Sequence, residues 1–166
     1  MYKPFEEMPG FARVWIYQAN RKFTPADRTN VESALMQLCA SWSAHGIPLH
    51  TSFRIEFDQF VILTVDERAA GASGCSIDGS VRILKDFQQA AGLDFFDRQQ
   101  VAFLKGDAIS LFPTSEMKTL FENNVLSKEQ ITFNNAITTK AEWEHSWKAP
   151  VKDSWLSRYL PKTAGV

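Results

Sequence analysis

Of the two cysteines and three histidines in the chain, Cys75 has the surroundings that favour nucleophilic chemistry. It lies in Gly71-Ala72-Ser73-Gly74-Cys75-Ser76-Ile77-Asp78, a run of small residues that reads as a loop delivering the thiol to a helix start. Backbone N–H groups and the helix dipole stabilise negative charge there, and can lower a thiol pKa from about 8.5 into the range of about 3.5 to 7.5. A catalytic or redox-sensing Cys75 would also need a base, for which His45 and His50 are the candidates, and an orienting acid such as Asp78. The competing reading makes Cys75 a small apolar side chain filling space between helix and sheet. Asp78 is then a helix cap, and its charge would raise the thiol pKa rather than lower it.

The same loop offers Ser73, Gly74, Cys75 and Ser76 as a seat for a small anion or phosphorylated metabolite, because bare N–H groups at a helix start bind anions without a basic side chain. No Gly-Lys-Ser/Thr follows Gly74, so no lysine reaches the terminal phosphates of a nucleotide and ATP hydrolysis is disfavoured. The dinucleotide-binding glycine pattern is absent as well. For a metal, Cys39, His45 and His50 are the nearest set in sequence. Six residues of helix turn a side chain by about 240°, which sends Cys39 and His45 to different faces. With no CxxC or HxxxH spacing in support, neither a metal nor a cofactor is expected. His145, among Trp143, Glu144 and Trp147, reads as solvent-facing.

Trp143 and Trp147 share a helix face, and Trp155 and Tyr159 repeat the four-residue spacing. Such pairs could stack a partner or a sugar, but large aromatics more often anchor a terminal segment to a sheet. RNA recognition would require exposed aromatics with Lys, Arg and Gly on a strand, and Phe60-Val61-Ile62-Leu63-Thr64-Val65 has no base and no glycine. Arg13, Arg21, Lys22 and Arg28 read as a solvated basic surface, so no nucleic acid is expected as partner.

The elements that must position these residues are legible in outline. Arg13 to Gln18 is β-branched and aromatic, as in a buried strand. Thr24 as N-cap, Pro25 in the first turn and Asp27 near the positive dipole end open a helix whose Val31, Leu35, Leu38 and Trp42 form one stripe, with Gly46 as its C-cap. Phe53, Ile55 and Phe57 alternate with Arg54 and Glu56 in a strand that turns at Asp58-Gln59 and returns as Phe60 to Val65. A second helix carries Ile77, Val81, Leu84 and Ala91 inward, with Phe87 beside them, and stops at Gly92; a hairpin then turns at Lys105-Gly106-Asp107. Beyond it, Thr114 or Ser115 opens a helical piece, Ile131 to Phe133 adds an edge strand, and Thr139 to Glu142 is a capping box. The order strand, helix, strand, strand, helix, strand is that of a split βαβ, ferredoxin-like unit. The expectation is an α+β fold: an antiparallel sheet with two helices on one face, a core over residues 1–112 and a helical C-terminal extension over 113–166 within a single domain.

Composition sets the outer limits. The chain has 166 residues, 45% of them hydrophobic, and 18 basic against 19 acidic side chains for a formal charge of −1. A domain of this size buries about 70% of its unfolded surface without disulfides or metal, which excludes a disordered chain or a stapled mini-protein. Near-neutral charge argues against general attraction to nucleic acid or anionic lipid. Met1 to Gly10 has no apolar stretch for a secretory signal, and the longest apolar run, Phe60 to Val65, is far below the roughly 20 residues of a membrane-spanning helix. The expected setting is cytoplasmic, without membrane partners, where Cys39 and Cys75 stay reduced.

Arg13-Val14-Trp15-Ile16-Tyr17-Gln18, Trp42-Ser43-Ala44-His45-Gly46, Gly74-Cys75-Ser76-Ile77-Asp78 and Ser154-Trp155-Leu156-Ser157-Arg158-Tyr159-Leu160 together resemble a family of small uncharacterised proteins from Bacteroidetes bacteria, over nearly the whole length. Some members carry the label ABC transporter ATPase, which the missing phosphate-loop lysine contradicts here. The resemblance implies a bacterial origin and a cytosolic location, and it marks His45 and Cys75 as family motif positions. Caps, turns and core stripes account for nearly every strong feature. The leading expectation is therefore a non-enzymatic module, compatible with a homodimer, that binds a protein partner or a small ligand. A Cys75-dependent enzyme or thiol sensor and an anion-binding loop are the alternatives.

Overall fold

A computed structural model describes residues 1–44, 46–68 and 74–162, with 44 and 74–76 described through the backbone alone. After a 3-10 turn at Phe5–Glu7, β1 (Arg13–Gln18) leads into α1 (Pro25–Ser41). The residue types at the start of α1 do what their chemistry dictates. The Thr24 side chain accepts from the Asp27 N–H, and the Asp27 carboxylate accepts in return from the Thr24 N–H at 2.8 Å. The helix ends at Ser41 with Trp42 already extended, so the expected C-cap Gly46 belongs to a different structure. It sits at φ +78° in the turn of a minimal hairpin, β2 (Ser43–Ala44) with β3 (Ile47–Pro48).

Next come β4 (His50–Glu56) and β5 (Phe60–Asp66). Their turn holds Phe57 and Asp58 in the left-handed region, at φ 54° and 50°, and this corrects the alternation expected from the sequence. Phe53 and Ile55 pack toward the helices, whereas Phe57 is carried through the turn to the opposite side and packs on Phe60, Phe133 and Trp147. α2 (Gly74–Ala91) then ends at Gly92, φ +66°, as expected. It begins four residues before exposed Asp78, which is therefore not its cap. β6 (Gln100–Lys105) and β7 (Ala108–Pro113) close around Gly106-Asp107. α3 (Met117–Glu122), β8 (Ile131–Phe133), α4 (Lys140–Ser146), β9 (Lys148–Pro150) and 3-10 turns at Val151–Asp153 and Trp155–Tyr159 complete the described chain. Among these residues no helix is long and apolar enough to cross a membrane.

The strands form two antiparallel sheets in an α+β chain, β1-β5-β4 and β7-β6-β8-β9, beside the small β2-β3 hairpin. The first order follows from the expected strand-helix-strand-strand half: β5 lies between β1 and β4 and runs against both. The rest departs from expectation. The strand that a ferredoxin-like unit would lay beside β1 is β6, and β6 instead pairs with β7 and β8 in the second sheet. β8 is an inner strand between β6 and β9 rather than an edge. Segment 113–166 is accordingly not a purely helical extension, since it supplies two of the four strands of that sheet.

These sheets stack into layers. On one side of the first sheet, Val61, Leu63 and Val65 pack against Val31 and Leu35 of α1 and Leu84 of α2. On the other, Val14, Phe60 and Ile62 pack against Ala102, Phe133 and Trp147. The outer face of the second sheet, through Val101 and Phe103, packs on Met117, Phe121, Leu126, Val151 and Leu156. Straps hold the helical layer in place: Arg21 pairs with Asp27 at 2.7 Å and donates to the Ala91 carbonyl, joining the start of α1 to the end of α2.

Two outcomes test this architecture in urea. Phe60→Ala removes a fully buried ring and should cost about 3 to 5 kcal/mol, against less than about 0.5 kcal/mol for the exposed Ile47→Ala. The Arg21 guanidinium, then the Thr24 N–H, hold the Asp27 carboxyl below the ordinary aspartate range. Its stabilisation is thus present above the unfolded aspartate pKa and lost as pH falls through the depressed one. Asp27→Asn should cost about 1 kcal/mol near neutral pH and shrink the difference between stabilities measured at neutral and acid pH.

Candidate functional site

A cleft of about 700 Å³ runs along the outer edge of β1. Its floor is Trp15-Ile16-Tyr17-Gln18; one wall carries Ile77 and Val81 of α2, and the other Gln100 to Ala102 of β6. Alternation along β1 divides the side chains. Trp15 and Tyr17 lean to the helical layer, and Ile16 to the second sheet. Gln18, on the same face as Ile16, donates to the Gln100 carbonyl at 3.1 Å. Trp15 stacks on Trp42 with the Arg13 guanidinium 4.9 Å from its ring, and Tyr17 meets the edge of Phe96 at 5.8 Å. Burial pushes the Tyr17 phenol above its ordinary pKa, with the Ser80 hydroxyl opposing, so Tyr17 presents a neutral hydroxyl here.

The rim is polar and locally braced. Phe96 N–H donates to the Asp94 carboxylate and Gln99 N–H to that of Asp97, two successive side-chain turns that hold the loop after α2. Opposite, Trp147 donates to the Asn135 carbonyl oxygen at 3.0 Å, and the amide of Asn135 donates to Gln18 at 3.2 Å. Trp155, 45% exposed, stands at the mouth. It is therefore not one of the anchors expected of the C-terminal tryptophans, whereas Trp147, at 1% exposure, is.

The backbone edge of β1 is only half paired. Val14 N–H donates outward to the Thr138 carbonyl, Arg13 faces Thr139 in an antiparallel bridge, and the Ala12 carbonyl accepts from Lys140 N–H. Hydrogen-bonding direction alternates along a strand, and Ala19 N–H points inward to the Gln59 carbonyl. The Val14 carbonyl, both groups of Ile16 and the Gln18 N–H consequently point outward, and they have no partner among the described residues.

Of the catalytic, anion-binding and metal candidates read from sequence, none that the structure describes lines this cleft. His45 and Ser73 are outside the described residues, as are the side chains of Cys75 and Ser76; the backbone places Gly74, Cys75 and Ser76 in the first turn of α2. His50 is half-buried on β4 opposite Asp66, in a pocket of about 360 Å³ with Pro48 and Arg68. Two hydrogen bonds of 3.0 Å from Arg68 hold the Asp66 carboxyl below its usual range against burial, so that pocket's carboxylate is already matched. Cys39 is fully buried on α1, and burial pushes its thiol up to about 11. His145 is exposed. Among the described residues no cluster of three or more His, Cys, Asp or Glu is placed to hold a metal ion.

Sequence reasoning missed the cleft. The strand Arg13 to Gln18 is legible in the sequence, but only the position of β6 reveals that its edge is open. Comparison with protein-family models, with curated proteins and with solved structures found no match for the chain.

The buried thiol yields an alkaline prediction. A thiol whose pKa is raised on folding stabilises the protein fully below the unfolded cysteine pKa, about 8.5, and that contribution is lost as pH rises toward about 11. Urea midpoints should fall between pH 8 and 10.5, and by less in Cys39→Ala; near pH 7.5 iodoacetamide should label Cys39 only after unfolding.

Proposed function

We propose that this chain is a non-enzymatic binding module whose ligand lies in the cleft along β1. The observation that carries the reading is the combination, in one recess, of aromatic and aliphatic walls, a polar rim of Gln18, Asn134, Asn135 and Arg98, and backbone groups left without partners. Among the described residues no nucleophile–base pair lines that recess, and those that titrate are Tyr17, Asp97 and Arg98. Kinship with the small Bacteroidetes proteins, a cytoplasmic setting and descent of the first sheet with its two helices from a ferredoxin-like unit belong to the same proposal. They are supported by the sequence motifs and by the β1-β5-β4 order. The thiol and anion readings of Cys75 have one support, the start of α2 at Gly74, and stand behind the cleft.

The test is a screen of small aromatic carboxamides against the isotope-labelled full chain by amide chemical shifts. Binding should perturb Ile16, Gln18, Asn135 and the Trp155 indole, and Trp155→Ala should weaken it about tenfold, the loss of one stacked aromatic contact. Fragments that cluster instead at His50 and Arg68, or that leave the β1 edge silent, would overturn the assignment.

A further inference from the structure

We infer that the natural occupant of the cleft is an extended peptide segment that adds to the first sheet as a strand beside β1; the inference rests on the binding reading above and names its ligand class. The first support is the hydrogen-bonding array. The Val14 carbonyl, the Ile16 N–H and carbonyl and the Gln18 N–H recur every second residue, the period at which an added strand presents its own main-chain groups. A compact small molecule would match one or two of them. Five residues from Val14 to Gln18 span about 16 Å, the length of a short strand.

The second support is continuity. The chain has already begun this pairing, since Thr138 and Thr139 lie antiparallel on the same edge at Val14 and Arg13. It then leaves the ladder at Asn134-Asn135-Ala136, where the Ala136 N–H turns in to the Asn134 side chain. The third is the topology: β6, the strand that would complete this sheet, is held in the second sheet, so the slot beside β1 is a strand position without its strand.

The walls set the chemistry of the occupant. Side chains on the α2 side meet Trp15, Tyr17, Ile77 and Val81, which take aliphatic residues; those on the other side meet Gln18, Gln100 and Asn135, which take amides or hydroxyls. A charge would lose water against the α2 wall without a partner, so the side chains on that side are uncharged, and the segment alternates apolar with polar residues. Because the edge is recessed between α2 and the second sheet, a single extended chain enters it more readily than the flat edge of a second copy.

A blocked hexapeptide library, alternating Val, Ile, Leu or Phe with Thr, Ser, Asn or Gln, tests this on the full labelled chain. Binders should slow hydrogen exchange at the Ile16 and Gln18 amides at least about tenfold, and N-methylation of the two peptide residues whose N–H groups donate to the Val14 and Ile16 carbonyls should weaken binding about tenfold per lost hydrogen bond. Val81→Lys, on the half-buried wall of α2, should weaken aliphatic-faced binders while leaving the urea midpoint close to wild type. Equal affinity for N-methylated peptides, binding without protection of Ile16, or no binder at all would overturn the strand-addition inference. Concentration-dependent protection of Ile16 without peptide would assign the edge to a second copy and overturn it as well. If carboxamide fragments still occupy the cleft in those cases, the binding reading survives; if they too leave it silent, both fail.

Discussion

The burial of β5 on both faces is the constraint on which the rest of the structure depends. Every residue from Phe60 to Asp66 is buried, including Thr64. A strand of this kind cannot serve a two-layer fold with one wet face, because Phe60 and Ile62 would then stand in water. One face needs the helices and the other needs a second apolar surface. The second sheet supplies it, and the aromatic cluster of Phe57, Phe60, Phe133 and Trp147, with centroids 4.7 to 6.4 Å apart, is the join. Each such contact contributes about 0.5 to 1.5 kcal/mol beyond burial, so the join is specific as well as apolar.

Recruiting β6 to cover that face has a consequence for the opposite edge of the first sheet. A strand cannot both extend one sheet and lie across its face in another. Among the described residues β1 thus keeps one strand neighbour, β5, and borrows two residues of pairing from Thr138 and Thr139. The remaining edge is flanked by α2 on one side and the second sheet on the other, and this produces a recess rather than a flat exposed edge. Unpaired strand edges invite aggregation, and recession of this kind is one physical means of restricting what can pair there.

Local signals were legible where a short-range contact decides the outcome. Thr24, Pro25 and Asp27 start α1, Gly92 stops α2 and Gly106 turns the β6–β7 hairpin, each through contacts within a few residues. Phe57 was misread because strict alternation assumes an uninterrupted strand, and a left-handed turn moves a side chain to the other face. Gly46 was misplaced for a related reason: its positive φ was correctly anticipated, but a hairpin turn and a helix end make the same demand on glycine. Ile131 to Phe133 was legible as a strand, while its inner position depended on β9, whose Lys148-Ala149-Pro150 has no periodic signature.

The candidate site was legible only in pieces, the Arg13–Gln18 strand, the Ile77 and Val81 stripe and Trp155, since no motif joins them. Its lining residues come from five separated stretches of chain, at 15–18, 77–81, 95–102, 133–136 and 155. The amino-acid sequence by itself determined the α+β class, the start of α1, the end of α2 and the hydrophobic character of β5, because propensity, capping and side-chain period act over a few residues. Which sheet receives β6, and hence whether β1 has one neighbour or two, was decided only by tertiary structure. Both pairings satisfy the local preferences of Gln100 to Lys105, and the choice turns on covering the second face of β5.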